Sequence, residues 1–174
     1  MPTRPPRPDA QLVTLQIGRP PRGDWQVAAR CGRGAPLVIE VGPVLEDSSL
    51  FPTTWWLTCP WLCEVVSALE SDGACGEWTA RVSADATLAA AVLVADEEYR
   101  RARAQSVGGA DPCSGRGVAG QADPLAVKCL HARVAAALAG NSDPVGRAVL
   151  AAQAPDGSVL CPDAPPRPCG GRRG

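Results

Sequence analysis

The residue types in this chain that could do chemistry are eight cysteines, at positions 31, 59, 63, 75, 113, 129, 161 and 169, and a single histidine, His131. Cysteine and histidine together ligate zinc, and a cysteine beside an imidazole is a common pair for nucleophilic catalysis. The spacing narrows these options. No two cysteines have the two-residue gap of a zinc knuckle or a thioredoxin-type redox site; the closest are Cys59 and Cys63, then Cys161 and Cys169. A metal site would have to be assembled from distant segments. Four disulfides would be the reading for a secreted chain, but the opening MPTRPPRPDAQ has no apolar signal region, so a cytoplasmic location with reduced thiols is expected.

His131 lies within four residues of the lone lysine, in the run Lys128, Cys129, Leu130, His131. A thiolate activated by its neighbours is the first thought. On a helix from about Asp123 to Ala139, however, residues i and i+2 are about 200° apart, so Cys129 and His131 point to opposite sides. His131 then joins Val127, Leu130, Val134 and Leu138 in an apolar stripe and reads as a core histidine, while Cys129 turns away with Leu125, Ala132 and Ala136. Only a later helix start would bring the pair together. Cys59, before Pro60 at a helix N-terminus, is the best single thiolate candidate. Cys63, Cys75 and Cys113 read as incidental, as do Cys161 and Cys169 in the tail. A stiff GRPPRG loop, 18–23, presents Arg19 and Arg22, with Arg30 further along; guanidiniums there could hold a phosphate or carboxylate.

Several classes are excluded. The formal net charge of -1 lacks the electrostatic footprint of a general nucleic-acid binder. No apolar run reaches the ~18 residues of a membrane span. There is no Walker loop, dinucleotide fingerprint, HExxH or G-x-S-x-G elbow.

The elements that must position these residues follow from periodicity. A short helix is expected over 9–17. Alternating runs Trp25–Cys31, Leu37–Val41 and Thr53–Cys59 form a three-stranded antiparallel meander, since their connections are too short for crossovers. Cys31 and Cys59 end strands on the face that carries Trp25 and Trp55. After Cys59 the period becomes helical: to about Glu70, over Glu77–Val82, over Asp85–Ala104, then from Asp123-Pro124 and from Asp143-Pro144. The fold class is therefore α+β, a small meander packed against about five helices in a single domain over 9–153, with disordered tails at 1–8 and 154–174. Trp55 and Trp56 must face opposite sides of their strand. An exposed Trp56 or Trp61 would offer a surface to a protein partner.

GRPPRG, the RCxxG element at 30–34, FPTTWWLTCP at 51–60, LE at 69–70 and VKCLH at 127–131 occur in this order. Together they resemble the bacterial "domain of unknown function 501" family over roughly residues 10–150. Many members carry a second cysteine in RCxxG and a second histidine in the KCLH helix, where this chain has Arg33 or Gly32, and Ala136. The resemblance implies no established activity, so no catalytic residues carry over. It does place Cys31, Cys59, Cys129 and His131 in shared blocks, and so implies one site made from them, with zinc the fitting metal. The leading expectation is a non-enzymatic binding or accessory protein built on that cysteine-rich site. The alternative is a thiol-dependent enzyme, with Cys59, Cys129 and His131 as catalytic candidates and Arg19, Arg22 and Arg30 holding an anionic substrate. A third is an adaptor for cell division, which family members' gene neighbours suggest.

Overall fold

The structure, a computed structural model, describes residues 7–153. Helix α1 (Arg7–Ile17) leads to the strands β1 (Trp25–Arg30), β2 (Pro36–Val41) and β3 (Trp55–Leu57), an antiparallel meander in that spatial order. Helices α2 (Pro60–Ser71), α3 (Ala74–Ala84), α4 (Ala86–Ser106), α5 (Leu130–Leu138) and α6 (Pro144–Gln153) follow, with a 3-10 turn at Val118–Gly120. The α+β class and the meander are as expected. The tails lie outside the described residues, except that α1 takes in positions 7 and 8, and Cys161 and Cys169 lie outside with them.

The central strand β2 is buried on both faces, as a strand covered by helices must be. Ile39 and Val41 pack with Val13 of α1, while Leu37 and Val38 join the main core with Trp55, Leu57 and α5. Helix α5 lies against β2, β3, α2 and α6, and its Leu130, Val134, Ala135 and Ala136 are wholly inaccessible. Its alanines let α6 come close. Gly146 sits so near the Arg133 carbonyl that a Cβ there would collide with it. Two buried polar groups tie α4 to the sheet and its loops. The Tyr99 hydroxyl accepts the Thr54 N–H at 2.7 Å, and its ring meets Trp55 edge-on. The fully buried Arg103 pairs with Asp111 at 2.6 Å and donates to the Pro52 carbonyl at 2.7 Å. No single helix among the described residues is long and apolar enough to cross a membrane.

Two expectations are corrected. Strand β1 does not keep one alternation to Cys31: its register shifts around Ala29, so Trp25 packs on the α1 side and Cys31 on the main core. The penultimate long helix does not begin at Asp123-Pro124. Asp123 instead closes a turn, its carboxylate accepting the Leu125 N–H at 2.9 Å and its carbonyl the Ala126 N–H. Side chains then satisfy the backbone of the following segment. Thr79 accepts from Val127 N–H at 2.9 Å, Gln121 accepts from Lys128 N–H at 3.3 Å, and Arg133 donates to the carbonyls of Pro124 and Ala126. With those groups paired, the chain runs extended to Cys129 and the helix starts at Leu130.

Candidate functional site

The later start of α5 changes what Cys129 and His131 can do together. Cys129 is the N-cap in an extended conformation (φ -150°, ψ 117°), and its side chain makes no capping hydrogen bond. The 200° separation of a regular helix does not apply across that boundary, and the two side chains converge. The open amides at the start of α5 are taken by Glu70, near the C-terminal end of α2. Its carboxylate accepts the Leu130 N–H at 2.6 Å and the His131 N–H at 3.4 Å, where a helix N-terminus favours negative charge. Its other oxygen lies 3.1 Å from His131 Nδ1. Ligating atoms of Glu70, Cys129 and His131 thus all lie within 4.8 Å of one another, each residue half-buried.

The histidine is held on both edges. Its Nε2 is 3.2 Å from the Cys63 carbonyl and 3.3 Å from Ser67 Oγ. A carbonyl only accepts, so Nε2 carries a proton, and Nδ1 is the nitrogen turned toward the carboxylate. With both nitrogens facing acceptors the imidazolium is the favoured form, and the pKa is raised to about 9. The hydrogen bond with Cys129 is the largest cause; burial opposes it, and the bond and charge of Glu70 add to it. Burial pushes the Glu70 carboxyl up, but the His131 bond and charge and the two amides outweigh it and hold it below the usual range.

The other sequence candidates lie elsewhere. Cys59 stands at the N-cap of α2 as expected, but it is buried in the main core, and Cys31 packs against that core. Among the described residues neither belongs to a group of three converging ligands. Of the three arginines, Arg30 forks onto Asp9 at 2.6 and 2.9 Å and Arg22 pairs with Asp47 at 2.7 Å. Arg19 lies over the Trp56 ring at 5.4 Å and lines a groove of about 1000 Å³ that Ser67 and His131 also line. Trp56 and Trp61 are both half-buried; Trp56 packs edge-on to Phe51, and Trp61 lies against the main core.

Glu70 was missed by sequence reasoning, although a signal existed. Cys63, Ser67 and Glu70 recur at helical spacing beside the apolar stripe of Leu62, Val66 and Leu69, so α2 carries one polar line along its length. All three touch the His131 side chain: Cys63 through its carbonyl, Ser67 and Glu70 through their side chains.

A helix-covered antiparallel meander with a carboxylate, a thiol and an imidazole gathered at helix ends defines, among the described residues, a small α+β protein with a mixed-ligand cluster. The chain belongs to the family described as "Protein of unknown function (DUF501)", which matches residues 27–151 and so covers every member of that cluster. No curated protein and no solved structure matches the chain.

Proposed function

We infer that the protein is a metal-binding accessory protein rather than an enzyme, and that Glu70, Cys129 and His131 hold a zinc ion. One observation carries this reading: three side chains of zinc-ligating type, from α2 and the start of α5, converge within 4.8 Å. The surroundings fit it. Zinc-bound histidines almost always donate their outer N–H to a carbonyl or carboxylate, and the Cys63 carbonyl takes that place for Nε2. Nδ1 then offers its lone pair on the side where the carboxylate lies, the metal replacing a proton. Thiolate, imidazole and carboxylate suit zinc better than a hard cation such as magnesium. The metal joins α2 to α5 at the point where the helix axis points its amides, so its first consequence is to lock the family's two adjacent blocks together.

The test is zinc stoichiometry in reduced, tag-free protein by elemental analysis. About one zinc per chain is expected, lost in Cys129→Ser and in His131→Asn. Wild-type protein that takes up no zinc from a stoichiometric excess sinks the reading.

A thiol-dependent enzyme acting on an anionic substrate is the second reading. In its favour, Arg19 and His131 line the same groove. Against it, Cys129 does not line that groove, and Arg22 and Arg30 are engaged by Asp47 and Asp9. Turnover-dependent alkylation of Cys129 by a phosphate- or carboxylate-bearing electrophile would favour this alternative.

A further inference from the structure

We propose that Cys75 is the fourth ligand of this centre, making it a closed site of two thiolates, one imidazole and one carboxylate, with no position left for a substrate or a catalytic water. The proposal rests on the zinc reading and names what completes it. Three ligands and an open position are the mark of catalytic zinc, whereas four protein ligands in a tetrahedron mark structural zinc. The identity of the fourth ligand therefore decides which kind of protein this is.

The geometry points to Cys75. Gly73, in the left-handed conformation (φ 93°), turns the chain sharply between α2 and α3, and Cys75 lies in the first turn of α3, only five residues after Glu70. That turn brings the Cys75 sulfur to 3.7 Å from the carbonyl of Lys128, the residue immediately before Cys129. Burial and the charge of Glu70 push the Cys75 thiol up, while the Leu130 N–H, the amide that Glu70 holds at 2.6 Å, lowers it. Cys75 and Glu70 therefore both reach the segment that enters α5, Cys75 at Lys128 and Glu70 at Leu130, with Cys129 between those two residues and His131 just after. The Cys75 thiol is half-buried, and its contact with the Lys128 carbonyl is a weak S–H donor bond that a rotation about one side-chain bond releases. Once both thiols ionise, two thiolates and one carboxylate around a divalent cation leave a net charge of -1 beside a helix N-terminus, which favours negative charge.

Cobalt(II) substitution tests this, because the intensity of the thiolate-to-cobalt charge-transfer band in the near ultraviolet scales with the number of coordinated thiolates. Wild-type protein titrated with cobalt should show a band that Cys75→Ser halves without abolishing, and that Cys129→Ser also halves or removes. A band of unchanged intensity in folded Cys75→Ser overturns the fourth ligand and leaves the three-ligand centre standing. Absence of any band in wild type overturns the zinc reading together with it. Because a variant of Cys75 could fail to fold, the same question is put to the wild type. Zinc should slow iodoacetamide labelling of Cys75 and Cys129 together, read peptide by peptide by mass spectrometry. Protection of Cys129 with Cys75 labelled at its zinc-free rate contradicts the proposal. Cys63, whose sulfur lies 3.5 Å from the Leu57 carbonyl, is the internal control and should label alike in both conditions.

Discussion

In metal-free protein the His131 imidazole should titrate at about 9 instead of its ordinary 6.5. The chain has one histidine, so a single Cε1–H resonance in a proton NMR titration reports this group alone. The first cause of the rise is the Cys129 hydrogen bond, followed, against the cost of burial, by the bond and charge of Glu70. Cys129→Ala should therefore bring the pKa down furthest. Glu70→Gln, which keeps an oxygen for the Leu130 N–H but turns an amide NH2 toward His131 Nδ1, removes both the bond and the charge and should bring it part of the way. A group whose folded pKa exceeds its unfolded value stabilises the fold fully below the unfolded value and loses that contribution as pH rises through the folded one. The window here runs from 6.5 to about 9. The shift corresponds to about 3 kcal/mol at most, and with 27% of the imidazole exposed, solvent reduces it to roughly 1–3 kcal/mol. Urea denaturation of chelator-treated protein should show a loss of that size as pH rises across this window, and a smaller one in Cys129→Ala, where Glu70 still acts. A wild-type resonance titrating near 6.5, or one indifferent to both substitutions, refutes the convergence of the three side chains.

Further predictions concern what holds the site in place. Arg133→Met removes one partner of the buried pair with Asp143 (2.9 Å) and takes a donor from the Pro124 and Ala126 carbonyls, the latter keeping Gln121, so a loss of about 3–5 kcal/mol in urea unfolding is expected, with weaker zinc uptake. Gly146→Ala drives a Cβ into the Arg133 backbone and should cost about 1–3 kcal/mol in the same assay, by forcing α6 away from α5. Tyr99→Phe leaves the Thr54 N–H without its acceptor inside the core, a cost of about 1–3 kcal/mol, seen as a lower thermal midpoint. Arg30→Ala breaks a partly exposed pair with Asp9 and should change stability by less than about 1 kcal/mol.

The fold was legible where periodicity was strong and uninterrupted. The meander declared itself by alternation and short turns, and α2 and α4 by Pro60 and Asp85 at their starts, where the Asp85 carboxylate does accept the N–H groups of Thr87 and Leu88. The site was legible only in part. Cys129 and His131 stood out as residue types, but their relation turned on where α5 begins. That was decided by side-chain contacts from Thr79, far back in the sequence, from Gln121 in the preceding loop and from Arg133 beyond the boundary itself. Asp123-Pro124 carries the local signal of a helix start, and tertiary hydrogen bonding overrode it. Glu70 was hidden for a related reason: a glutamate near a helix end is ordinarily a solvated charge, and its partner amides lie 60 and 61 residues away. Cys31 and Cys59 looked equally promising by type, yet a position at a strand end or a helix start says nothing about convergence: Cys59 went into the core and Cys31 packs, half-buried, against it.

The central claim is that Glu70, Cys129 and His131 share one metal ion, and an anomalous difference map at the zinc edge from zinc-loaded crystals tests it most directly. The account predicts a single strong peak per chain between Cys129 Sγ, His131 Nδ1 and the Glu70 carboxylate, at the entrance to α5. A map with no peak there, or with zinc only on other side chains, contradicts it.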